Sequence, residues 1–186
     1  MPRNLLMGDL VTRSLRRAGM DGSSPVKAPE VKALISEQYG HLYSIVAKAG
    51  FRYFESTSTI TATGAASYPL PTDFDYSIGI DRVVDGGAGL TNQLDELMVQ
   101  ERNHYSSNIG DACAYSIVGQ TVVLFPRPTS GTYTLLYVPQ APDLSVLGDS
   151  ADVDLITADG EAFLIWGVAI PLLGLVESST DLAIAQ

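Results

Sequence analysis

The sequence predicts an α+β protein in which an antiparallel helix bundle, formed by the N- and C-terminal segments, carries an inserted small antiparallel β-barrel or sandwich. Two observations lead to this prediction. The segments before Phe51 and after Asp159 place apolar residues at three- and four-residue steps, which is the helical period. The segment between them is rich in β-branched and aromatic residues with period two, and turn sequences interrupt it, which is typical of short strands.

The same change of period predicts the domain boundaries. We expect the helical bundle to comprise residues 1–55 and 157–186, the inserted β module to comprise residues 56–145, and an acidic linker to span residues 146–156. With 186 residues and 46% hydrophobic positions, the chain can bury one good core or two small ones. We therefore expect one compact body with a β lobe.

The N-terminal segment predicts two helices. Asn4 to Ala18 has the pattern of an amphipathic helix, and Gly19 is its expected stop. The second helix is expected from Pro29, which suits a first helical turn, to Gly50, which suits the position after a last turn. Because a short loop joins them, the two helices should pack antiparallel.

The middle of the chain predicts five or six short strands. Gly119-Gln120 is expected to form a tight two-residue hairpin turn, and the glycine-rich run 85–89 another turn. Strong helix formers from Leu94 to Tyr105 predict a short helix that crosses the sheet. The predicted strands are Thr57 to Ala62, Tyr68 to Pro71, Ile78 to Val84, Ala114 to Val118, Thr121 to Phe125 and Thr132 to Val138.

The C-terminal segment predicts a helix that starts near Glu161 and that Pro171 kinks or ends. Its apolar run is shorter than the roughly 20 residues that a bilayer span needs, so we expect a buried helix. A further helix, capped by the run 178–181, has barely one turn before Gln186. We expect that residues past Gln186, or a partner, support this end.

The charge pattern excludes one class of function. The chain has 11 Lys and Arg residues against 21 Asp and Glu residues, and its net charge is −10. A chain this acidic does not hold nucleic acid by neutralising phosphates. Residues 1–55 carry a balance of +3 and the remainder −13. This asymmetry suits a basic end that pairs with the acidic surface of another protein, and it equally suits ordinary solvated helix faces.

The sequence predicts no catalytic, metal-binding or cofactor-binding residue. His41 and His104 are far apart and have no ligand-type neighbours. Asp149, Asp152 and Asp154 lack the spacing of a calcium loop. Neither a phosphate-binding glycine loop nor a Gly-x-Ser-x-Gly motif occurs. We therefore predict that the protein is not an enzyme and needs no cofactor.

The single cysteine, Cys113, cannot form an internal disulfide. The first residues show no secretory signal pattern, because Asp9 and Arg13 interrupt any apolar core. We expect a chain of intracellular origin in which Cys113 acts as an inert small hydrophobic residue.

A series of motifs in a fixed order carries a family resemblance. They are Leu5-Leu6-x-x-x-Leu10 in the opening helix, Tyr68-Pro69-Leu70-Pro71-Thr72-Asp73-Phe74, Tyr115-Ser116-Ile117-Val118-Gly119, Leu124-Phe125-Pro126-Arg127-Pro128, Tyr133-Thr134-Leu135-Leu136-Tyr137, Pro142-Asp143-Leu144, and Asp159-Gly160-Glu161 before the closing helix. In this order and spacing, over nearly the whole chain, the sequence resembles the head-to-tail adaptor (connector) proteins of tailed bacteriophages.

The resemblance implies a structural virion protein of the head-tail junction, made in the cytoplasm of the host bacterium. It implies a homo-oligomeric ring, usually of twelve subunits, beneath the portal. The implied partners are the portal protein and a downstream tail or nozzle protein, while double-stranded DNA passes through without specific binding. The acidic balance of the chain fits such a conduit, because carboxylates on its wall would repel DNA.

Five residues are candidates for contacts within such a ring. Arg13, Arg16 and Arg17 are expected on the outer face of the first helix, where they would make salt-sensitive contacts with another subunit or with the portal. The helix macrodipole alone also favours basic residues at this end. Leu182 and Ile184 are expected to belong to a segment that orders only on a partner.

Two alternatives remain open from sequence. A β-type binding module of a tail fibre or tail-completion protein would use tyrosine-rich strands as a ligand face, although alternating tyrosines equally suit barrel packing. A hydrolase would require His41 and His104 to converge with carboxylates. The tyrosines in question are Tyr68, Tyr76, Tyr105, Tyr115, Tyr133 and Tyr137.

Overall fold

The fold is described from a computed structural model of the chain. It describes residues 4–20, 26–50, 52–84, 91–98, 101, 109–156 and 159–184, without the side chains of Thr91 and of residues 175–184. Within these ranges, helices and mainly antiparallel strands occur together, so the predicted α+β class is confirmed.

The chain forms two compact units, each described here by itself. The helical unit comprises Met1–Gly50 and Ala141–Gln186, and the β unit comprises Phe51–Gln140. The first is therefore built from both ends of the chain, while the second is continuous in sequence.

The described residues of the helical unit form three helices that contact one another in all three pairings. It also contains a two-stranded antiparallel sheet, β1 with β10. The elements are β1 (Asn4–Leu6), α1 (Met7–Arg17), α2 (Ala28–Lys48), β10 (Asp152–Asp154) and α3 (Gly160–Ile184), with a short 3-10 helix at Leu144–Val146.

The first two helices begin and end where local signals favour it. α1 is amphipathic and buries Met7, Leu10 and other residues at helical steps. Gly19 and Gly50, with φ values of 70° and 77°, follow α1 and α2 in the left-handed conformation that ends many helices. The predicted helix starts at Asn4 and Pro29 were close, but residues 4–6 form strand β1 instead.

The predicted acidic linker contains strand β10. Val153, between two aspartates, is 1% exposed and pairs with Leu5 of β1. The backbone N–H of Gly8 donates to Asp149 O at 2.9 Å. A Cβ at Gly8 would lie 3.2 Å from the Asp149 side chain, so glycine allows this close approach. Alternation of buried and exposed residues is the strand period, and the exposed aspartates concealed it in the sequence.

α3 is one continuous helix, so the prediction of two separate helices was wrong. The helix runs through Pro171, which removes one backbone donor. Val168, Ala169 and Leu172 around the proline are fully buried, and this packing stabilises the helical path. Among the described residues, no helix is long and apolar enough to span a membrane.

The described residues of the β unit form two four-stranded sheets, ordered β2-β9-β4-β5 and β3-β8-β7-β6. All neighbouring strands are antiparallel except β6 and β7. A short 3-10 helix at Arg52–Phe54 precedes them. The strands are β2 (Ser56–Thr61), β3 (Tyr68–Pro69), β4 (Phe74–Val83), β5 (Thr91–Gln93), β6 (Asp95–Glu96), β7 (Ala114–Val118), β8 (Thr121–Phe125) and β9 (Thr132–Pro139).

The two sheets share one apolar core. Ile80 and Leu135 from the first sheet, and Val122 and Leu124 from the second, belong to the same buried cluster. The strands of the two sheets do not join into one ladder, so the described residues form no closed barrel. The barrel detail of the sequence prediction is therefore not confirmed.

The β7-β8 hairpin confirms one local prediction. Gly119, with a φ of 58°, lies in its two-residue turn. The predicted helix from Leu94 to Tyr105 was wrong in its described part, where residues 95–96 form β6 and Glu101 lies in a turn. Leu94 is 3% exposed in the core, and the Asp95 N–H donates to Cys113 O at 3.0 Å. Core burial and strand pairing outweigh helix propensity here. The predicted turn at 85–89 lies outside the described residues.

Candidate interaction surface

One ion pair joins the first and last helices of the helical unit. Arg13 of α1 donates from Nη1 to Glu161 Oε1 of α3. The Arg13 side chain is 41% exposed and that of Glu161 16% exposed. Partial burial strengthens such a pair relative to a fully solvated one, so the contact helps to fix α1 against the start of α3.

A cation-π contact lies one helical turn further along α1. The Arg17 guanidinium carbon is 3.6 Å from the centroid of the Trp166 ring. Residues four apart on a helix share one face, so Arg13 and Arg17 both reach α3. Arg17, Glu161, Ala162, Ile165 and Trp166 line an open pocket of 390 Å³.

The start of α3 depends on a glycine. A Cβ at Gly160 would collide with the backbone oxygen of Leu155. The chain therefore turns into α3 more tightly than a larger residue would allow, and this turn places Glu161 beside α1.

α3 has apolar residues on two sides, and only one side is covered within the unit. Leu164, Val168 and Leu172 are fully buried against the rest of the helical unit. The other side forms what we call the outer stripe, four apolar residues that are between 38% and 64% exposed. They are Phe163 (38%), Trp166 (48%), Ile170 (64%) and Leu173 (42%).

A comparison with protein families matches most of the chain. A family model described as SU10 adaptor protein matches residues 7–169, which run from α1 through the β unit into α3. The chain belongs to the SU10 adaptor protein family. Among curated proteins, a search finds no match. The family confirms the resemblance to head-to-tail adaptors, and it makes this protein a structural component of a bacteriophage virion.

The three candidate arginines of the adaptor do not form one isolated cationic patch. Arg13 and Arg17 contact α3, as described above, and Arg16 is exposed. Their predicted role in an interface stays a prediction. Leu182 and Ile184 belong to the helical backbone of α3, but their side chains lie outside the described residues.

The outer stripe was not singled out from the sequence. Its signal was present as the spacing of three, four and three residues between apolar positions from Phe163 to Leu173. The inner residues of α3 are also apolar, so sequence alone did not distinguish the covered side from the exposed one.

The charge asymmetry along the adaptor chain does not separate its two units. The helical unit has seven basic and twelve acidic residues, and the β unit has four basic and nine acidic residues, so each carries −5. Within the helical unit, the acidic C-terminal segment contacts the basic N-terminal helices. Lys32 Nζ, for example, lies 2.7 Å from Asp149 Oδ1 and donates to Leu147 O at 2.8 Å.

Four of the six tyrosines proposed as a ligand face lie in the core of the β unit. Tyr68, Tyr115, Tyr133 and Tyr137 are at most 7% exposed. Their burial contradicts a ligand role for these four and supports the packing interpretation. Tyr76 is half-buried, while Tyr105 lies outside the described residues.

The hydroxyl groups of these buried tyrosines are hydrogen-bonded. The Tyr133 hydroxyl accepts from Ala112 N–H at 3.1 Å, and the Tyr137 hydroxyl donates to Asp73 Oδ1 at 3.1 Å. The Tyr115 hydroxyl lies 3.1 Å from Ser77 Oγ, so it links the two sheets. Burial raises the pKa of Tyr115, and the nearby Glu96 carboxylate raises that pKa further.

Asp143 connects the segment that follows the β unit to α2 through hydrogen bonds. Its Oδ1 accepts from Ser36 Oγ and from Ser145 N–H, both at 2.9 Å. Hydrogen bonds from Ser145 and then Ser36 lower the pKa of the Asp143 carboxyl. Ser36 Oγ also accepts from Leu144 N–H at 2.9 Å.

Within the described residues, no group of three His, Cys, Asp or Glu side chains could hold a metal ion. Asp149 pairs with Lys32, and Asp154 Oδ1 accepts from Ile156 N–H at 2.9 Å. His41 is exposed on α2, while His104 lies outside the described residues. Cys113 is exposed, not buried as a small hydrophobic residue would be.

Proposed function

We propose that this protein forms the head-to-tail adaptor ring beneath the portal, joins the capsid portal to the tail, and lines the DNA conduit without catalysing a reaction. The observation that carries the proposal is the match to the SU10 adaptor family, which extends over both units. We propose a homo-oligomer of twelve subunits at the head-tail junction, bound by the portal protein on one side and by a tail or nozzle protein on the other.

The charge distribution supports the conduit part of the proposal. Each unit carries −5, so either unit would present an acidic wall to DNA. Like charges repel, and an acidic wall gives DNA no phosphate contacts to hold it. DNA would therefore pass without specific binding.

The arginines of α1 and the end of α3 are proposed as contact points. Arg13, Arg16 and Arg17 would make salt-sensitive contacts with a neighbouring subunit or the portal, and Leu182 and Ile184 would order on a partner. Reversing all three arginines would also disrupt α1 against α3, because Arg13 pairs with Glu161 and Arg17 contacts Trp166. Arg16→Glu leaves the Arg13–Glu161 and Arg17–Trp166 contacts in place, so Arg16 is tested alone.

Mass photometry with portal rings tests the proposal. The purified 19.8 kDa chain would be measured alone and with the portal of its own genome, at low and moderate salt. We expect a discrete mass gain of about twelve chains on the portal. The gain should be larger at low salt, because salt screens the charged contacts proposed here. An unrelated portal is the control. A chain that ignores its own portal at both salt concentrations would contradict the proposal.

A charge reversal then tests the arginine contact. Arg16→Glu should reduce the mass gain on the portal, and the reduction should be larger at low salt than at moderate salt, because salt screens exposed charges. Lys48→Glu is the matched control, since Lys48 is an exposed basic residue on α2 of the same unit. Equal mass gain for Arg16→Glu and the wild type would remove Arg16 from the interface.

A further inference from the structure

α3 is more apolar than its position in a single chain requires. No charged residue occurs between Glu161 and Glu177. The inner side of this stretch is buried in the helical unit, while the outer stripe remains substantially exposed. A helix that is apolar on every side is typical of a buried helix, so the outer stripe lacks a cover that its composition favours.

The arrangement of the stripe suits another packed surface. Its members follow one another at steps of three, four and three residues, from Phe163 to Leu173. This is the spacing with which a helix presents a continuous seam to a partner. Two of the four side chains are Phe and Trp, and aromatic residues are enriched at the centres of protein interfaces.

The edge of the stripe offers both signs of charge. Arg17 rests its guanidinium on the Trp166 ring, and Glu161 lies in the same pocket. A guanidinium carries its N–H donors in the plane of the group, so stacking on a ring leaves that edge able to meet a carboxylate. The pocket of 390 Å³ beside Trp166 is large enough to receive an apolar side chain.

The charge of the chain favours a second copy as the partner. Two copies of a chain with a net charge of −10 repel wherever their carboxylates meet. The four side chains of the outer stripe carry no carboxylate, and Glu161 at its edge is only 16% exposed and pairs with Arg13 of its own chain. Arg17 at the same edge can therefore attract the acidic surface of an approaching copy. We propose that the outer stripe of α3 is the seam that receives a second copy of this chain. This inference rests on the proposed ring, and it assigns one contact between its subunits.

A pair of identical substitutions tests the seam. Ile170→Gln lies in the outer stripe, and Ile45→Gln is its matched control on α2, because both isoleucines are exposed helix residues of the same unit, at 64% and 57%. Self-association would be measured by sedimentation over a concentration series without any portal. At the centre of an interface, Ile170→Gln should weaken association by roughly 30-fold. Ile45→Gln should leave it unchanged.

Circular dichroism and thermal unfolding of both variants separate a lost contact from a lost fold. Both Gln side chains are compatible with a helix and both positions are exposed, so neither variant should lose helicity. Equal association of Ile170→Gln and wild type would overturn the proposal. A weakening of the same size in both variants would also overturn it, because the stripe would then have no special role.

Cross-linking identifies the partner directly. Ile170→Cys in a Cys113→Ser background has one thiol, which would carry a benzophenone maleimide. The labelled chain would be irradiated alone and again after assembly on the portal. A covalent product of two copies of this chain, in either sample, is the expected result. Cross-links only to the portal or to another virion protein, or none in either sample, would overturn the proposed seam.

The two proposals fail in different ways. If the labelled copies cross-link to each other but no portal binds, the seam holds and the adaptor function fails. If a mass gain on the portal occurs and the stripe cross-links only to the portal, the adaptor function holds and the seam fails. The wild-type portal experiment therefore serves as the reference for both.

Discussion

The aromatic residues of α3 and those of the β-unit core are buried to different degrees. In the β unit, four tyrosines lie within the core and their hydroxyls find partners, such as Ala112 N–H for Tyr133. In the helical unit, the one tryptophan, Trp166, is 48% exposed and stacks under Arg17. Phe163 on the same helix is also exposed.

This difference shows which apolar surfaces are buried within each unit. The tyrosine core of the β unit is satisfied by its own two sheets, and its polar atoms are hydrogen-bonded inside it. The helical unit covers one side of α3 and leaves the outer stripe to other contacts. The β unit thus buries its tyrosine core by itself, whereas the helical unit leaves an apolar stripe that the proposed assembly would cover.

The largest effect should come from opening the tyrosine core. Tyr133→Ala should destabilise the β unit by about 4 kcal/mol, because it leaves a cavity at a fully buried aromatic position. Tyr133→Phe is the control and should cost only about 1 kcal/mol, the hydrogen bond to Ala112 N–H. Urea unfolding followed by tyrosine ellipticity measures both. An equal loss of stability in the two variants would mean that the aromatic ring itself packs poorly in the core.

Two neighbouring residues of α3 should differ strongly. Leu164→Ala, on the buried side, should cost about 3 kcal/mol of stability. Phe163→Ala, on the outer stripe, should cost the isolated chain less than about 1 kcal/mol, because the ring is already partly in water. Chemical unfolding at a concentration where the chain is monomeric compares them. Similar losses for both would show that the outer stripe is covered within the chain.

The ion pair between α1 and α3 should contribute less. A double-mutant cycle with Arg13→Met and Glu161→Gln should give a coupling energy of about 0.5 kcal/mol, since the Arg13 side chain is 41% exposed and solvent screens it. The coupling should fall as NaCl is added. A coupling that is independent of salt would assign the contact to packing instead of charge.

The two units should also respond to opposite ends of the pH range, with the smallest effects of this series. The pKa of Tyr115 is raised above its usual value of 10.0 by burial. A raised pKa means that its contribution is complete below the unfolded value and is lost as pH rises through the folded value. Tyr115→Phe should flatten this alkaline loss, which the pH dependence of urea midpoints for the β unit would measure.

Asp143 should act in the opposite direction in the helical unit. Its pKa lies below the usual 3.8 because of hydrogen bonds from Ser145 and Ser36. Its contribution is therefore complete above the unfolded value and is lost as pH falls through the folded value. Asp143→Asn should reduce the acid sensitivity of the helical unit, followed by the fluorescence of Trp166. An unchanged acid midpoint would show that these hydrogen bonds do not support the native state.

Local signals made much of the fold predictable. Glycine after α1 and after α2, Pro29 in the first turn of α2, and Gly119 in the β7-β8 turn each act through the backbone of a few residues. Their outcome depends little on distant parts of the chain. The α+β class followed from the same local changes of period.

Long-range contacts account for what could not be predicted. Strand β1 exists because it pairs with β10, which lies far along the chain. Leu94 is extended because the core of the β unit buries it. α3 passes Pro171 because Val168, Ala169 and Leu172 around it are fully buried. In each case tertiary burial overrode a local preference, and periodicity within one segment carries no information about the partner.

The candidate surface was predictable in residue type and not in geometry. Arg13 and Arg17 were recognised as a basic group on one helix, but their contacts with Glu161 and Trp166 come from a segment far along the chain. The exposure of Ile170 could not be inferred either, because it depends on which side of α3 the other two helices occupy.

The division of the helical unit between both ends of the chain has a consequence for biosynthesis. The β unit is one continuous segment, Phe51–Gln140, so the ribosome synthesises all of its strands before α3. α1 and α2 are synthesised before the β unit, and α3, which packs against them, is synthesised after it. Because the three helices contact one another, the helical unit completes its core only after α3 has been synthesised. The outer stripe therefore becomes a surface of the folded helical unit only after every strand of the β unit has been synthesised.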